Sequence, residues 1–262
     1  MLTEGELKIV NRLIRKIYTV DNSRLMRREV LAELKKVIHF KVSAFSLGSI
    51  KNSRVYLVDP VISSDFDKSL EVEFFNQNET RYHIFDYAGW IFFIPESVVY
   101  RDTDLVNNEL RMKTPYYTDY LLKYDLPYMG GISIASENNF LGALTFYKSK
   151  ESGDFTEKDL YILNLIQPHL QDKMMSNSQK MQEYKRNISF KLKTQFHLTD
   201  REIEIMGYVY NGYSTEEISK RLFIAQNTTK KHLSNIYQKL GLTGKMQIIK
   251  FIKDNDITNI WQ

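Results

Sequence analysis

Cysteine is absent from the 262 residues, so neither a disulfide framework nor a thiolate-held metal is available, which fits a reducing compartment. Long apolar runs are missing too. None approaches the ~18 residues of a membrane span, and residues 1–20 alternate charged and apolar positions instead of building a signal core. A cytoplasmic protein with no membrane partner is the expectation. There is no glycine-rich phosphate loop and no Gly-x-Ser-x-Gly, and His39, His83, His169, His197 and His232 lack metal-ligand spacing. Neither catalysis nor a metal or cofactor is expected. The last absence is local. Residues 218–253 hold no Asp or Glu in a chain that is 26% charged, yet they include Lys220, Arg221, Lys230, Lys231, Lys239, Lys245, Lys250 and Lys253.

That asymmetry divides the chain. Residues 191–262 carry eleven Lys/Arg against seven Asp/Glu, a net of +4, which is the whole excess of the protein. A neutral body joined to a small polyanion-binding module is the simplest reading.

The body reads as α+β with a central antiparallel sheet. Leu7, Val10, Leu13, Ile14 and Ile17 mark an amphipathic first helix. Asp21, Asn22 and Ser23 offer caps for a second, with Leu25, Val30, Leu34, Val37 and Ile38 on its apolar side. Residues 40–47 and 54–58 look like strands joined by a turn at 48–53, with Pro60 ending the hairpin. Residues 63–85 read as helical with Leu70, Phe74 and Phe75 inward, and 90–94 as a short apolar run stopped by Pro95. Residues 128–135 and 140–147 form the clearest hairpin, across the polar loop 136–139. Thr156 and Asp159 then open a helix in the manner of a capping box. The lack of Gly between Gly153 and Gly207 lets it be long, and Pro168 is expected to kink or split it. Leu170, Met174, Asn177, Met181, Tyr184 and Ile188 repeat at heptad spacing, a seam for either a second copy or the protein's own body.

In the tail, Thr199 and Glu202 form a capping box before a helix with Ile203, Met206 and Val209 inward, stopped at Asn211-Gly212. Ser214 and Glu217 repeat the device. A turn at 223–225 leads to a two-faced helix over 226–240: Thr229, Leu233, Ile236 and Leu240 on one side, Lys230, Lys231, Ser234, Asn235 and Gln238 on the other. Two helices joined by a tight turn, the second basic on its outer face, make a helix-turn-helix whose reading helix enters a major groove.

These residues resemble a family. Leu198-Thr199-x-Arg201-Glu202, Gly212-x-Ser214-x-x-Glu217-Ile218-x-x-x-Leu222 and Thr228-x-Lys230-x-His232-x-x-x-Ile236-x-x-Lys239-Leu240 are similar to the DNA-binding domain of LuxR-type transcriptional regulators. The resemblance implies a four-helix domain over 193–262 that binds double-stranded DNA. Lys230 and Lys231 would meet bases and phosphates, Ser234 the groove floor, and Lys239 the DNA backbone. Lys220, Arg221, His232, Asn227 and Thr228 stand as further contacts. About five neutralised phosphates give a log K against log salt slope of about −4 to −5. The sequence departs from the family at Thr215, Ala225 and Thr229. Ala225 is a poor cap, so Asn227 or Thr228 is expected to cap the reading helix one turn later. Thr243 is expected to cap a last helix, with Met246, Ile249 and Ile252 apolar, where two such domains meet in the family.

The body at 1–155 more loosely resembles the GAF-like input domains that precede some LuxR-type tails, through residues 100–105, 114–117, Gly142 and 167–169. A connecting helix over 156–192 and a homodimer complete the expected organisation. The paired-Trp pattern of the acyl-homoserine-lactone binders is missing, since the body has one Trp. A small-molecule or protein signal is expected at a pocket using Asp86 and Arg101 as polar anchors with Trp90, Tyr82 and Tyr117 from a dense aromatic set. A scaffold protein whose tail meets other proteins is the alternative.

Overall fold

The computed structural model describes residues 2–51, 54–255 and 257–261. These divide into two compact units, residues 1–178 and 179–262.

In the first unit, α1 (Glu4–Thr19) starts at the capping box of Thr3 and Glu6, and α2 (Ser23–Leu34) at Asn22, whose side chain accepts from the Leu25 N–H. A hairpin of β1 (Val42–Lys51) and β2 (Arg54–Ser64) follows, its two tip residues, 52 and 53, lying outside the described residues. Helix α3 (Lys68–Gln77) passes into a π-turn at Asn78–Tyr82 and 3-10 turns at His83–Phe85 and Gly89–Phe93. Then come β3 (Val98–Arg101), the single-turn helices α4 (Asp102–Leu105) and α5 (Asn108–Arg111), and further helical turns at Tyr116–Leu121 and Leu122–Tyr124. Strands β4 (Tyr128–Ser136) and β5 (Asn139–Lys148) lead into α6 (Glu157–Phe196).

The five strands form one antiparallel sheet in the order β2-β1-β5-β4-β3. One face packs on α1, α2 and the first half of α6 through Leu13, Ile17, Val30, Leu34, Phe45, Leu144, Phe146, Ile162 and Ile166. The other face meets α3 and the helical turns through an aromatic layer of Phe74, Tyr82, Tyr116, Tyr117, Tyr120, Tyr124 and Tyr147. Glu137 and Asn138 take φ of 51° and 62° between β4 and β5, the two positive values that a primed hairpin turn requires.

Pro60 does not end β2. The strand continues to Ser64 because it lies at the sheet edge, where an imino nitrogen removes no ladder bond. The pairing slips between Phe45↔Val61 and Leu47↔Val58, so Asp59 and Pro60 bulge opposite Ser46. Buried Arg27 ties the bulge down, donating to the Phe45 carbonyl at 2.9 Å and to the Asp59 carboxylate at 2.5 Å. Pro168 likewise does not split its helix, which runs unbroken from Glu157 to Phe196 and ends where His197 turns left-handed at φ 53°. The heptad seam is divided: Leu170 and Met174 are buried in the first unit's core, Met181 is exposed, and Ile188 packs against the core of the second unit.

The second unit adds α7 (Asp200–Tyr210), α8 (Thr215–Arg221), α9 (Gln226–Leu240) and α10 (Lys245–Asp254) around Ile203, Met206, Val209, Ile218, Leu233, Ile236, Ile248 and Ile252. Both expected capping boxes form. Gly212 (φ 83°) and Gly241 (φ 65°) supply the left-handed ends of α7 and α9. Two expectations are corrected. The last helix is preceded by Gly244 rather than capped by Thr243, whose N–H is instead taken by Gln247 at 2.7 Å. Met246 is 76% exposed, and Ile248 takes the inward place. Trp261 packs where α7 carries Gly207; a Cβ there would lie 2.5 Å from the indole Cδ1.

Candidate nucleic-acid interface

Three contacts set α9 against its neighbours. Arg201 of α7 donates to the Leu222 carbonyl at 2.8 Å, fixing the end of α8. Phe223 then turns left-handed (φ 52°), and the Ile224 N–H returns to the Ser219 carbonyl at 3.1 Å, reversing the chain within three residues. Lys239 near the end of α9 reaches Glu202 of α7 at 2.7 Å.

Helix α9 begins at Gln226, directly after Ala225, whose methyl caps nothing. The expected shift of the start to Asn227 or Thr228 does not occur, because Thr229, Leu233 and Ile236 already pin the helix to the core. Its first turn leaves amide donors open, a favourable setting for a phosphate oxygen. Asn227, Thr228, Lys230, Lys231, Ser234 and Gln238 are all exposed on the outer side, while His232 and Asn235 are half-buried at its border. Among the described residues neither Lys230 nor Lys231 has an anionic partner.

The other expected contacts are already engaged. Lys220 pairs with Glu216 at 2.7 Å on the surface of α8. The Arg221 guanidinium lies 4.2 Å over the Tyr213 ring. Lys239 is committed to Glu202, only 2% exposed, whose Oε2 also accepts from the Thr199 N–H at 2.8 Å. Burial alone would raise that carboxyl, but the bonds from Lys239 and Thr199 hold it below its ordinary value. Sequence reasoning missed this pair because its members lie 37 positions apart.

The expected ligand residues of the first unit do not converge. Arg101 faces the first core, with Asp104 at 2.8 Å, Glu157 at 2.9 Å and the Phe155 carbonyl at 2.8 Å. Its neighbour Tyr100 points to the opposite, aromatic face, as strand alternation requires. Asp86 lies on that aromatic side, and the two proposed anchors are therefore on different faces. Tyr82 stacks on Tyr120 at 5.2 Å, Tyr117 lies under Arg111 at 4.7 Å, and Trp90 is 50% exposed. Burial pushes the Asp86 carboxyl up to about 6, and nearby Asp102 adds to the effect. Asp102 itself is satisfied by Arg111 at 2.8 Å, the Tyr87 hydroxyl at 2.6 Å and the Met129 N–H at 3.2 Å. Among the described residues no three His, Cys, Asp or Glu side chains are grouped to hold a metal, and no helix is long and apolar enough to cross a membrane.

Over the whole chain, similarity to solved structures is distant. A crystal structure of Escherichia coli SdiA matches at 13% identity and a TM-score of 0.45, covering 96% of this chain and 98% of that one. SdiA in complex with octanoyl-rac-glycerol matches at 15% and 0.44, covering 97% and 96%. The GAF domain of a two-component sensor histidine kinase from Bacillus halodurans matches at 17% and 0.37, covering 62% of this chain and 99% of that one. Residues 197–252 match the family model of bacterial regulatory proteins, luxR family. Helices α7 to α10, with the capping boxes and the turn described above, are thus a LuxR-family helix-turn-helix domain.

Proposed function

We propose that the protein is a one-component transcriptional regulator: residues 193–262 read DNA, and residues 1–155 sense a small molecule or partner and support dimerisation through the connecting helix. The observation that carries the reading is the outer side of α9, where Lys230 and Lys231 stand exposed beside Asn227, Thr228, Ser234 and Gln238. Side chains of this kind, on the outer side of a helix pinned to its core by Thr229, Leu233 and Ile236, match the bidentate and phosphate contacts of a major-groove reader.

The test is Lys230→Ala with Lys231→Ala in the full chain. Loss of these two groups should abolish specific retardation of a promoter fragment and flatten the salt slope by about 1.8, at −0.9 for each phosphate contact. Thermal unfolding should be unchanged, since neither lysine has a bonding partner among the described residues. Undiminished affinity in the double variant rules the reading out. The sensory half has its own test: native mass spectrometry for a retained small molecule, and DNA affinity with and without low-molecular-mass cell extract.

A further inference from the structure

Helices α1 and α6 lie side by side and run in the same direction. Lys158 donates to Glu6 at 2.8 Å, and Tyr18 shares a hydrogen bond of 3.0 Å with His169. Residue n of α1 therefore stands level with residue n + 151 or n + 152 of α6 (169 − 18 = 151; 158 − 6 = 152). Each helix buries one side in the first core, α1 through Leu13 and Ile17, α6 through Ile162 and Ile166. Next to the buried side each carries a second apolar stripe at heptad spacing: Leu7, Ile14 and Tyr18 on α1, and Tyr161, Leu165 and Pro168 on α6. Both stripes reach solvent at the same level, with Leu7 and Tyr18 46% exposed and Tyr161 54%. They differ from the seam expected at Leu170 and Met174, which the protein's own core takes up.

The ion pairs of the two helices leave one charge over on each. On α1, Glu4 pairs with Lys8, Glu6 with Lys158, and Arg12 and Lys16 with Glu33. In the first half of α6, Glu157 pairs with Arg101, Asp159 with Lys148, and Lys173 with Asp21. Arg15 of α1 and Asp172 of α6 remain, both exposed and both without an ionic partner among the described residues. A two-fold axis parallel to the helices lays α1 of one copy on α6 of another, in the same direction and at the same level. Arg15 of one copy and Asp172 of the other are then offset by about 8 Å along the axis, which the two side chains span together. An axis across the helices would instead oppose α1 to α1 and α6 to α6, arginine facing arginine and aspartate facing aspartate.

We infer that the α1–α6 face binds a second copy of this chain about a two-fold axis parallel to the helices. The apolar stripes cover each other, and the leftover charges pair twice, once on each side of the axis. The inference rests on the reading of the protein as a dimeric regulator and adds the surface and the direction of its dimer. Parallel packing also makes both copies of α6 leave the first unit at the same end, as two half-sites on one duplex require.

The test is sedimentation equilibrium of the full chain at low ionic strength, where exposed charges are least screened. Tyr161→Glu sets a carboxylate in the apolar stripe and should raise the dimer dissociation constant by about tenfold or more. Arg15→Asp and Asp172→Arg, each alone, place like charges across the axis twice and should do the same. The double variant Arg15→Asp with Asp172→Arg restores the pair in reverse and should return to within about threefold of the parent. That rescue separates an interface from a folding defect, and it decides the matter even if Tyr161→Glu does not fold. A parent that stays monomeric at about 0.1 mM, a folded Tyr161→Glu with an unchanged dissociation constant, or a double variant no tighter than the single ones overturns the inference. DNA reading is judged apart from it. A monomeric chain whose specific retardation is lost with Lys230→Ala and Lys231→Ala leaves the regulator standing without this interface.

Discussion

Replacing Lys239 by methionine separates two roles that the sequence alone assigns to one side chain. As a DNA-backbone contact, Lys239 would matter for affinity and not for folding. In the structure its ammonium group is 2.7 Å from Glu202 Oε2, and that carboxylate is buried at 2% exposure. Methionine fills the same length without charge and leaves Glu202 with only its cap bond to the Thr199 N–H. Removing one member of a fully buried pair costs about 3–5 kcal/mol. Lys239 is 29% exposed, so water reaches the abandoned carboxylate, and the expected loss falls to about 2 kcal/mol. For a domain of this size that lowers the unfolding temperature by about 10 °C.

The pH dependence gives the sign. In the native protein the Glu202 carboxyl sits below its ordinary value of 4.5, so its stabilisation is full above that pH and is lost as pH falls through the lower folded value. Without Lys239, burial raises the same carboxyl, and the variant instead loses stability as pH rises. The gap between the two proteins should be widest at pH 7 and narrow toward pH 4, as followed by circular dichroism of thermal unfolding. The salt slope for DNA binding should not change. A variant as stable as the parent at pH 7, with a slope flatter by about 0.9, would refute the structural assignment and restore Lys239 as a phosphate contact.

Two smaller predictions concern α9 and the turn before it. Thr229 Oγ1 is buried with no hydrogen-bond partner among the described residues, so Thr229→Val, which keeps the shape and removes the hydroxyl, should stabilise the domain by about 1 kcal/mol; a drop in denaturant midpoint contradicts this. Phe223 is left-handed and 94% exposed, so Phe223→Gly relieves backbone strain while giving up almost no burial. A gain of about 1 kcal/mol is expected in the same denaturation assay, and a loss would mean that the ring is held by contacts its exposure does not suggest.

What the sequence disclosed follows from the range of the forces involved. Thr199 with Glu202, Ser214 with Glu217 and Glu137 with Asn138 act within three residues, and the elements they bound appear where the spacing places them. Heptad and helical periodicity likewise identify the inward side of α9. Long-range choices were illegible. Nothing near Pro60 announces that its strand lies at the sheet edge, with Arg27 of α2 bracing the bulge. Strand β3 escaped notice because four residues carry too little alternation, and with it went the evidence that Tyr100 and Arg101 face opposite ways. Asp86 was legible as a polar residue among aromatics, but its partner Arg101 was not excluded until the register of β3 was known.

The same distinction changes the reading of charge in the tail. Eight basic residues without an intervening acid suggest a continuous anion-binding stripe, but three of them have partners from outside the run. Glu202 takes Lys239, Glu216 takes Lys220, and Tyr213 offers its ring to Arg221. The exposed pair of Lys220 exchanges for phosphate at little cost, since such pairs contribute less than about 1 kcal/mol, whereas the pair of Lys239 does not. On α8 and α9 the acid-free run thus reduces to Lys230 and Lys231, with Lys220 as a recruitable third, while Lys245, Lys250 and Lys253 lie on α10. Each domain should then release counterions from two or three phosphates, giving a slope of about −2 to −3 for each half-site in place of the −4 to −5 that counting charges suggests.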